Sequence, residues 1–266
     1  MPQIGFIGVG NMGYPMLLGA VKTFSKTEVT FYDVSMERME EIQKETGVTF
    51  SESMEELVAN CKCVVLTIKP QFYQQVLDKI KEIVKPESIV ITVAPGITTS
   101  DMKYSLGEDV KVVRTMPNTP ALIGEGMTGI CFSSDDFTKE EEEQVFLLFS
   151  SFGKYEVFDE KLMDAVVCAN GSSPAYVYMF IEALADSVVK YGIPRDKAYT
   201  LTAQTVLGAA KMVLETKEHP GLLKDRVCSP GGTTIEGVAA LEEYGMRNAI
   251  MKATDACYEK AISFKK

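Results

Sequence analysis

The stretch Gln3-Ile4-Gly5-Phe6-Ile7-Gly8-Val9-Gly10-Asn11-Met12-Gly13 decides the fold. An apolar strand runs directly into Gly8-x-Gly10-x-x-Gly13, and a helical pattern follows. In that strand-to-helix context the three glycines form a dinucleotide fingerprint. Gly8 permits the tight turn, Gly10 lets the backbone approach a pyrophosphate, and Gly13 lets helix and strand pack closely. The free N–H groups at the helix start, with the helix dipole, then face the phosphate charge, and Ile7, Gly8, Val9, Gly10, Asn11, Met12 and Gly13 are the expected contacts of the cofactor. An acid completes the pattern. Asp33 ends the apolar run Val29-Thr30-Phe31-Tyr32, about twenty residues past Gly13, where a carboxylate accepts the adenosine ribose 2′-hydroxyl. Such an acid repels a 2′-phosphate, so NADH is expected to be preferred over NADPH, with NADPH still usable.

Working outward, strand and helix alternate through residue 158. Strands are expected at 3–8, 28–32, 63–68, 88–93, 111–114, 127–132 and 154–158. Val64-Val65-Leu66 and Ile89-Val90-Ile91 are continuous apolar runs, as parallel strands covered on both faces require. Ser35 is placed to cap a helix that stops before Gly47, and Ser53-x-x-Glu56 and Thr138-x-x-Glu141 have capping-box spacing. The acidic cluster at 135–143 therefore reads as a solvated helix start. The regular alternation implies α/β architecture, a Rossmann-type doubly wound sheet with right-handed crossovers, over residues 1–158.

Past Asp159 strand-like runs vanish. Ile181, Leu184, Ala185 and Val188 repeat at helical spacing, as do Val206, Ala209, Ala210 and Val213. Pro194 is expected to open one helix, and Gly221 and Gly245 to punctuate later ones. Residues 159–266 read as an all-helical domain whose apolar stripes exceed what so thin a domain buries alone, so a homodimer at least is expected.

Three strands end in proline-bearing turns: Thr67-Ile68-Lys69-Pro70, Val93-Ala94-Pro95-Gly96 and Met116-Pro117-Asn118-Thr119-Pro120. Proline ends a central strand, and ligands of open sheets bind at the carboxyl ends of strands. Thr67, Ile68, Lys69, Pro70, Val93, Ala94, Pro95 and Asn118 are the expected walls of a nicotinamide cleft, with Lys69 toward a ribose or phosphate oxygen.

Composition narrows the function. The net charge of −10 argues against nucleic acid or an anionic membrane as partner. There is no apolar run of about twenty residues, the length that crosses a bilayer, and no basic leader precedes the first strand, so a cytoplasmic protein is expected. The six cysteines are scattered; Cys61 and Cys63 lack zinc or redox spacing, and reduced, mostly buried thiols are expected. The single histidine, His219, precedes Pro220 and reads as a turn residue, so no metal site is expected and a histidine triad is excluded.

A second site is suggested by Ser229-Pro230-Gly231-Gly232-Thr233-Thr234-Ile235-Glu236. Either Ser229 caps a helix with Pro230 in its first position, or Thr233 caps it and Glu236 closes a capping box. Both arrangements leave the amides of Gly231 and Gly232 open to a small carboxylate, with the Thr234 hydroxyl beside it.

The chain resembles the Δ1-pyrroline-5-carboxylate reductase family over essentially its whole length. The resemblance rests on Phe6-Ile7-Gly8-x-Gly10-Asn11-Met12-Gly13, Ile68-Lys69-Pro70, Met116-Pro117-Asn118-Thr119-Pro120, Asp164-Ala165-Val166 and Gly171-Ser172-Ser173-Pro174-Ala175-Tyr176. It extends through Leu207-Gly208-Ala209-Ala210-Lys211-Met212 and His219-Pro220-Gly221-x-Leu223-Lys224-Asp225 to the Ser229–Ile235 stretch, its most specific part. It implies an NAD(P)H-binding Rossmann domain, a helical domain that dimerises, and dimers assembled into a ring, commonly a decamer. The implied reaction is reduction of pyrroline-5-carboxylate to L-proline, the last step of proline biosynthesis. The implied roles are substrate carboxylate binding by the amides around Gly231, Gly232 and Thr233, a hydrogen bond from Thr234 to the ring nitrogen, and Glu160 on the substrate side. Two departures stand out: Ser173 where the family often has glycine, and Asp33 with Met54 where many members carry small polar residues and an asparagine suited to a 2′-phosphate. Another small imine reductase, a β-hydroxyacid-type dehydrogenase and a non-catalytic NAD(P) sensor are the alternatives. The second needs a helical-domain lysine followed by a characteristic asparagine, which Lys190 and Lys211 lack; the third needs no carboxylate pocket.

Overall fold

The computed structural model describes residues 3–264. The first part of the chain runs β1 (Ile4–Ile7), α1 (Gly13–Thr23), β2 (Val29–Tyr32), α2 (Met36–Thr46), α3 (Met54–Asn60), β3 (Cys63–Leu66), α4 (Tyr73–Ile80), β4 (Ile89–Thr92), α5 (Thr99–Leu106), β5 (Lys111–Met116), β6 (Gly126–Phe132), α6 (Lys139–Ser150) and β7 (Gly153–Val157). Among the described residues seven strands lie in the order β2-β1-β3-β4-β5-β6-β7; β1 to β4 fall within the segments expected to be strands, whereas β5 runs two residues past its expected end and β6 and β7 each start one residue earlier than expected. β1 to β5 are mutually parallel, so their carboxyl ends share one edge. β6 runs antiparallel to β5, and β7 parallel to β6. The reversal follows from the β5–β6 connection, whose only regular element is the 3₁₀ turn Thr119–Ile123; a parallel return needs a longer crossover.

The apolar strands divide their residues between two faces. Ile4, Phe6, Cys63, Val65, Ile89 and Ile91 pack against Met16, Leu17 and Ala20 of α1 and Val145, Leu148 and Phe149 of α6. Ile7, Val64, Leu66 and Val90 face Leu57 of α3, Leu77 and Ile80 of α4, and Met102 of α5. These residues of β1, β3 and β4 thus have helices above or below them, which is why their runs are continuously apolar.

Ser35 caps α2 and Gly47 ends it with φ 72°. Thr138 and Glu141 form a complete capping box. Ser53 accepts from Glu56 N–H, while the Glu56 carboxylate reaches Glu52 N–H, one residue short of a reciprocal box. The acidic cluster is not simply solvated. Glu141 is 5% exposed and pairs with Lys111 at 2.6 Å and Lys62 at 3.7 Å, and Asp135 pairs with Lys103 at 2.7 Å. Among the described residues no acid, cysteine or histidine cluster is arranged to hold a metal.

The chain continues as α7 (Met163–Val166), a π-turn at Val167–Gly171, α8 (Ser173–Val189), α9 (Arg195–Thr216), α10 (Pro220–Val227), α11 (Thr233–Glu243) and α12 (Met246–Ile262). Pro194 is the N-cap of α9 rather than its first residue. Gly245 separates α11 from α12 with φ 74°, whereas Gly221 lies in the first turn of α10. The chain forms two compact units, one running to Pro174 and resuming at Cys257, the other Ala175–Ala256. The last strand ends at Val157, so the compact unit extends past the strand region. Within residues 175–256, only Ala185, Ala198 and Thr202 of the described residues are buried, while Tyr178, Met179, Leu207, Leu214 and Met251 are exposed. No described helix is long and apolar enough to cross a membrane.

Burial raises the Glu141 pKa, but the hydrogen bond from Lys111 and the cap donor at Thr138 outweigh it and hold the carboxyl below its ordinary 4.5. Asp135 is likewise held below 3.8, its Lys103 and Ser133 hydrogen bonds outweighing burial. A depressed carboxylate adds stability above its ordinary pKa and loses it as pH falls through the folded value. The Tm is expected to drop as pH falls from about 5 to about 3, and Glu141→Gln to flatten that dependence while lowering Tm at neutral pH.

Candidate active site

The fingerprint glycines are required by contacts. Gly8 has φ 92°, and a Cβ there would sit 3.0 Å from the Thr67 carbonyl oxygen. At Gly13 a Cβ would fall 2.1 Å from the Gly8 carbonyl oxygen and 2.5 Å from Thr67 Oγ1. At Gly10 nothing lies within 4 Å, so that face of the turn is open. The Thr67 hydroxyl donates to the carbonyls of Ile7 and Gly8, binding the end of β3 to the turn. Helix α1 starts at Gly13 with Met12 as N-cap and no side-chain cap, leaving its first amides free of side-chain partners.

Asp33 reaches this turn from the end of β2. One carboxylate oxygen accepts from Val9 N–H at 2.8 Å, the other from Ser35 N–H at 3.1 Å. Asp33 therefore both borders the glycine turn and leads into the α2 cap. A cavity of about 380 Å³ brings together Ile7, Gly8, Gly10, Asp33, Thr67, Ile68 and Lys69. Val9, Asn11, Met12 and Gly13 complete the turn beside it, and Pro70 opens a 3₁₀ turn ending at Phe72. Tyr32, Val34, Met54, Phe72, Gln75, Val76 and Lys79 also line the cavity. The spacing 72, 75, 76, 79 marks one helical face, which could have indicated this wall.

Val93, Ala94 and Pro95 follow β4 at the same sheet edge, outside that cavity's lining. Asn118 is engaged inside the fold: its amide nitrogen donates to the Asn170 carbonyl and its oxygen accepts from Met127 N–H. Glu160 accepts from the backbone and hydroxyl of Thr99 and faces Arg114 at 3.5 Å.

The Ser229 segment is built differently from either expected cap. Ser229 C=O accepts from Gly232 N–H at 3.0 Å, with Pro230 second and Gly231 third at φ 66°. This is the type II signature, proline followed by a left-handed glycine. Gly232 becomes the N-cap of α11, which starts at Thr233 without a side-chain cap, so neither Ser229 nor Thr233 has that role. A Cβ at Gly232 would sit 2.4 Å from Ser229 Oγ. Thr234 is the second residue of the helix.

Nucleophilic and acid–base candidates are few. Burial pushes the Cys61 and Cys63 thiols up to about 12 and Cys131 to about 11, and all six cysteines are free. His219 accepts from Gly221 N–H, capping α10 as a turn residue.

A glycine turn open at Gly10, an acid at the second strand and a helical unit with unburied apolar faces define a nicotinamide-dependent oxidoreductase with a dimerisation domain. Comparison agrees. Residues 3–96 match the family model described as NADP oxidoreductase coenzyme F420-dependent, and residues 160–264 match pyrroline-5-carboxylate reductase dimerisation. Pyrroline-5-carboxylate reductase of Escherichia coli (strain K12) is 42% identical over 99% of this chain and 98% of its own. That of Methanosarcina acetivorans is 40% identical over 97% and 96%. The crystal structure of Plasmodium falciparum pyrroline carboxylate reductase with NADP bound superposes with TM-score 0.89 at 31% identity, covering 100% of this chain and 98% of that one. The chain belongs to the pyrroline-5-carboxylate reductase family.

Gly13→Ala is expected to displace α1 from the turn and to abolish measurable NADH binding by calorimetry. Retained affinity would show that the close approach is not needed for the site.

Proposed function

We propose that the protein reduces the cyclic imine of L-1-pyrroline-5-carboxylate to L-proline, the last step of proline biosynthesis, in the cytoplasm and as a homodimer at least, with a ring decamer as the larger assembly. Full-length similarity to reductases of this name carries the reading, and the glycine turn supports it, since its residues fit a dinucleotide. The bound nicotinamide supplies the hydride. The protein's part is placement. A protonated imine is already electrophilic, so the chain needs no metal and no strong acid, and orientation alone is a large effect.

In this reading Ile7 to Gly13 receive the pyrophosphate, Thr67, Ile68, Lys69 and Pro70 the ribose side, and Val93, Ala94, Pro95 and Asn118 the nicotinamide end. Asn118 acts there by fixing the loop it braces. The amides of Gly231 and Thr233, with Ser229, take the substrate carboxylate; the Gly232 amide, expected to join them, is instead spent on the Ser229 carbonyl that closes the turn. The Thr234 hydroxyl holds the ring nitrogen and relays its proton through water. Glu160 belongs to the substrate side through the segment it ties down.

The site favours NADH. The Asp33 carboxylate is held at the turn by two backbone donors, where it accepts the ribose 2′-hydroxyl and repels a second phosphate. Lys69 and Lys79 line the same cavity and offset part of that repulsion, so NADPH remains usable. Arg38 is paired with Glu41 and lies 4.6 Å over the Tyr14 ring.

Imine-dependent loss of NADH absorbance tests the activity. Thr234→Ala is expected to lower kcat/KM about ten- to a hundredfold, the effect of one hydrogen bond to a charged or polar ligand, with NADH affinity unchanged; wild-type turnover in that variant would remove Thr234 from the site. Asp33→Ser is expected to shift the NADH-to-NADPH ratio of kcat/KM toward NADPH. An enzyme that already favours NADPH, or an unmoved ratio, would refute the cofactor assignment.

A further inference from the structure

The loop joining β4 to α5, residues 93–98, is tied at both ends by polar groups, buried at the strand end and partly exposed only at Glu160. At the strand end Thr92 is fully buried. Its hydroxyl donates to Tyr73 Oη at 2.9 Å, which in turn donates to the Leu66 carbonyl at 2.8 Å. The Thr92 carbonyl accepts from the Thr115 hydroxyl at 3.0 Å. At the helix end Glu160 arrives from sixty residues further along the chain. Its Oε1 accepts from Thr99 N–H at 2.8 Å and lies 3.5 Å from Arg114 Nη1, and its Oε2 accepts from the Thr99 hydroxyl. Arg114 has no exposed surface and donates through Nη2 to Asp164 at 2.7 Å.

Helix α5 does not need this arrangement to start. Thr98 and Asp101 already form a reciprocal capping box there. A buried ion pair recovers little net stability once desolvation is counted, so an arginine and two carboxylates are a poor way to hold a short helix. They do fix where the loop ends. We propose that Thr99, Glu160 and Arg114 are positioning residues for hydride transfer, holding the 93–98 loop against the nicotinamide half of the cofactor; this rests on the cofactor reading above. Arg114 is sealed from substrate, and both Glu160 oxygens are turned to Thr99, so the group acts through the loop.

Removing Arg114 would strand two carboxylates and threatens folding, so Thr99 is the better probe. Thr99→Val deletes one hydrogen bond and keeps the backbone donor and the shape. It is expected to lower kcat about tenfold, the effect of one hydrogen bond to a charged group, with the KM for the imine changed less than about twofold. NADH should bind more weakly while ADP-ribose, which lacks the nicotinamide, binds as before. Thr99→Ser should restore both, and Glu160→Gln should reproduce the kcat loss. The proposal is overturned if Thr99→Val keeps both kcat and the NADH-to-ADP-ribose affinity ratio, whatever its Tm, which would make the network purely structural. It is equally overturned if Glu160→Gln raises KM alone, which would place Glu160 on the substrate. A wild type inactive on the imine would refute the functional reading instead, and the affinity ratio in Thr99→Val would still decide this one.

Discussion

The structure depends on a missing methyl group. With any side chain at position 13, Cβ would be driven into the Gly8 carbonyl and the Thr67 hydroxyl, contacts that a close-packed interior does not absorb without moving backbone. Because position 13 is glycine, α1 starts directly over the end of β1, and Thr67 reaches across from β3 to bind the two carbonyls that close the turn. The turn in turn presents Val9 N–H to Asp33, which registers the end of β2. Four elements are thereby brought to one point, and the cavity beside it is what remains between them.

Much of this was legible because the signals are local. A strand covered on both faces must be apolar throughout, and a strand-to-helix turn of this shape must carry glycine. The parts that were not legible depend on distant partners. Nothing near Glu141 shows that Lys62 and Lys111 will converge on it. Residues 127–132 read as a strand, but the direction of β6 is set by a preceding loop without a crossover helix. At Ser229–Glu236 several residues satisfy a local capping rule at once, and the left-handed φ of Gly231 selects Gly232. Asn118 and Glu160 have site chemistry by residue type, yet their polar atoms meet Asn170, Met127, Thr99 and Arg114.

The helical unit shows the complementary limit. Its stripes are plain in the sequence, but within 175–256 the described residues bury little more than small side chains. Amphipathic helices whose large apolar residues stay exposed have no core of their own to close. The match of this region to a dimerisation family accords with these faces, whose large apolar residues stay uncovered within the single chain.

The same reasoning applies to one group of buried polar residues in the first unit. Thr92, Thr99, Arg114, Thr115, Asn118, Asp164 and Asn170 are all buried and lie at or beside the carboxyl ends of β4 and β5, while Thr30, Thr46, Ser88, Thr128, Ser133 and Glu141 are buried elsewhere in the unit. Burying such groups costs free energy unless each finds a partner, and a core selected only to fold would place apolar side chains there. The reaction proposed above calls on no metal or tuned acid, so its main demand on the protein is that two reactants meet in a fixed geometry. Hydrogen bonds supply that better than apolar packing, because they are directional. The buried polar side chains at the ends of β4 and β5 fix that sheet edge in the way the proposed reaction would need.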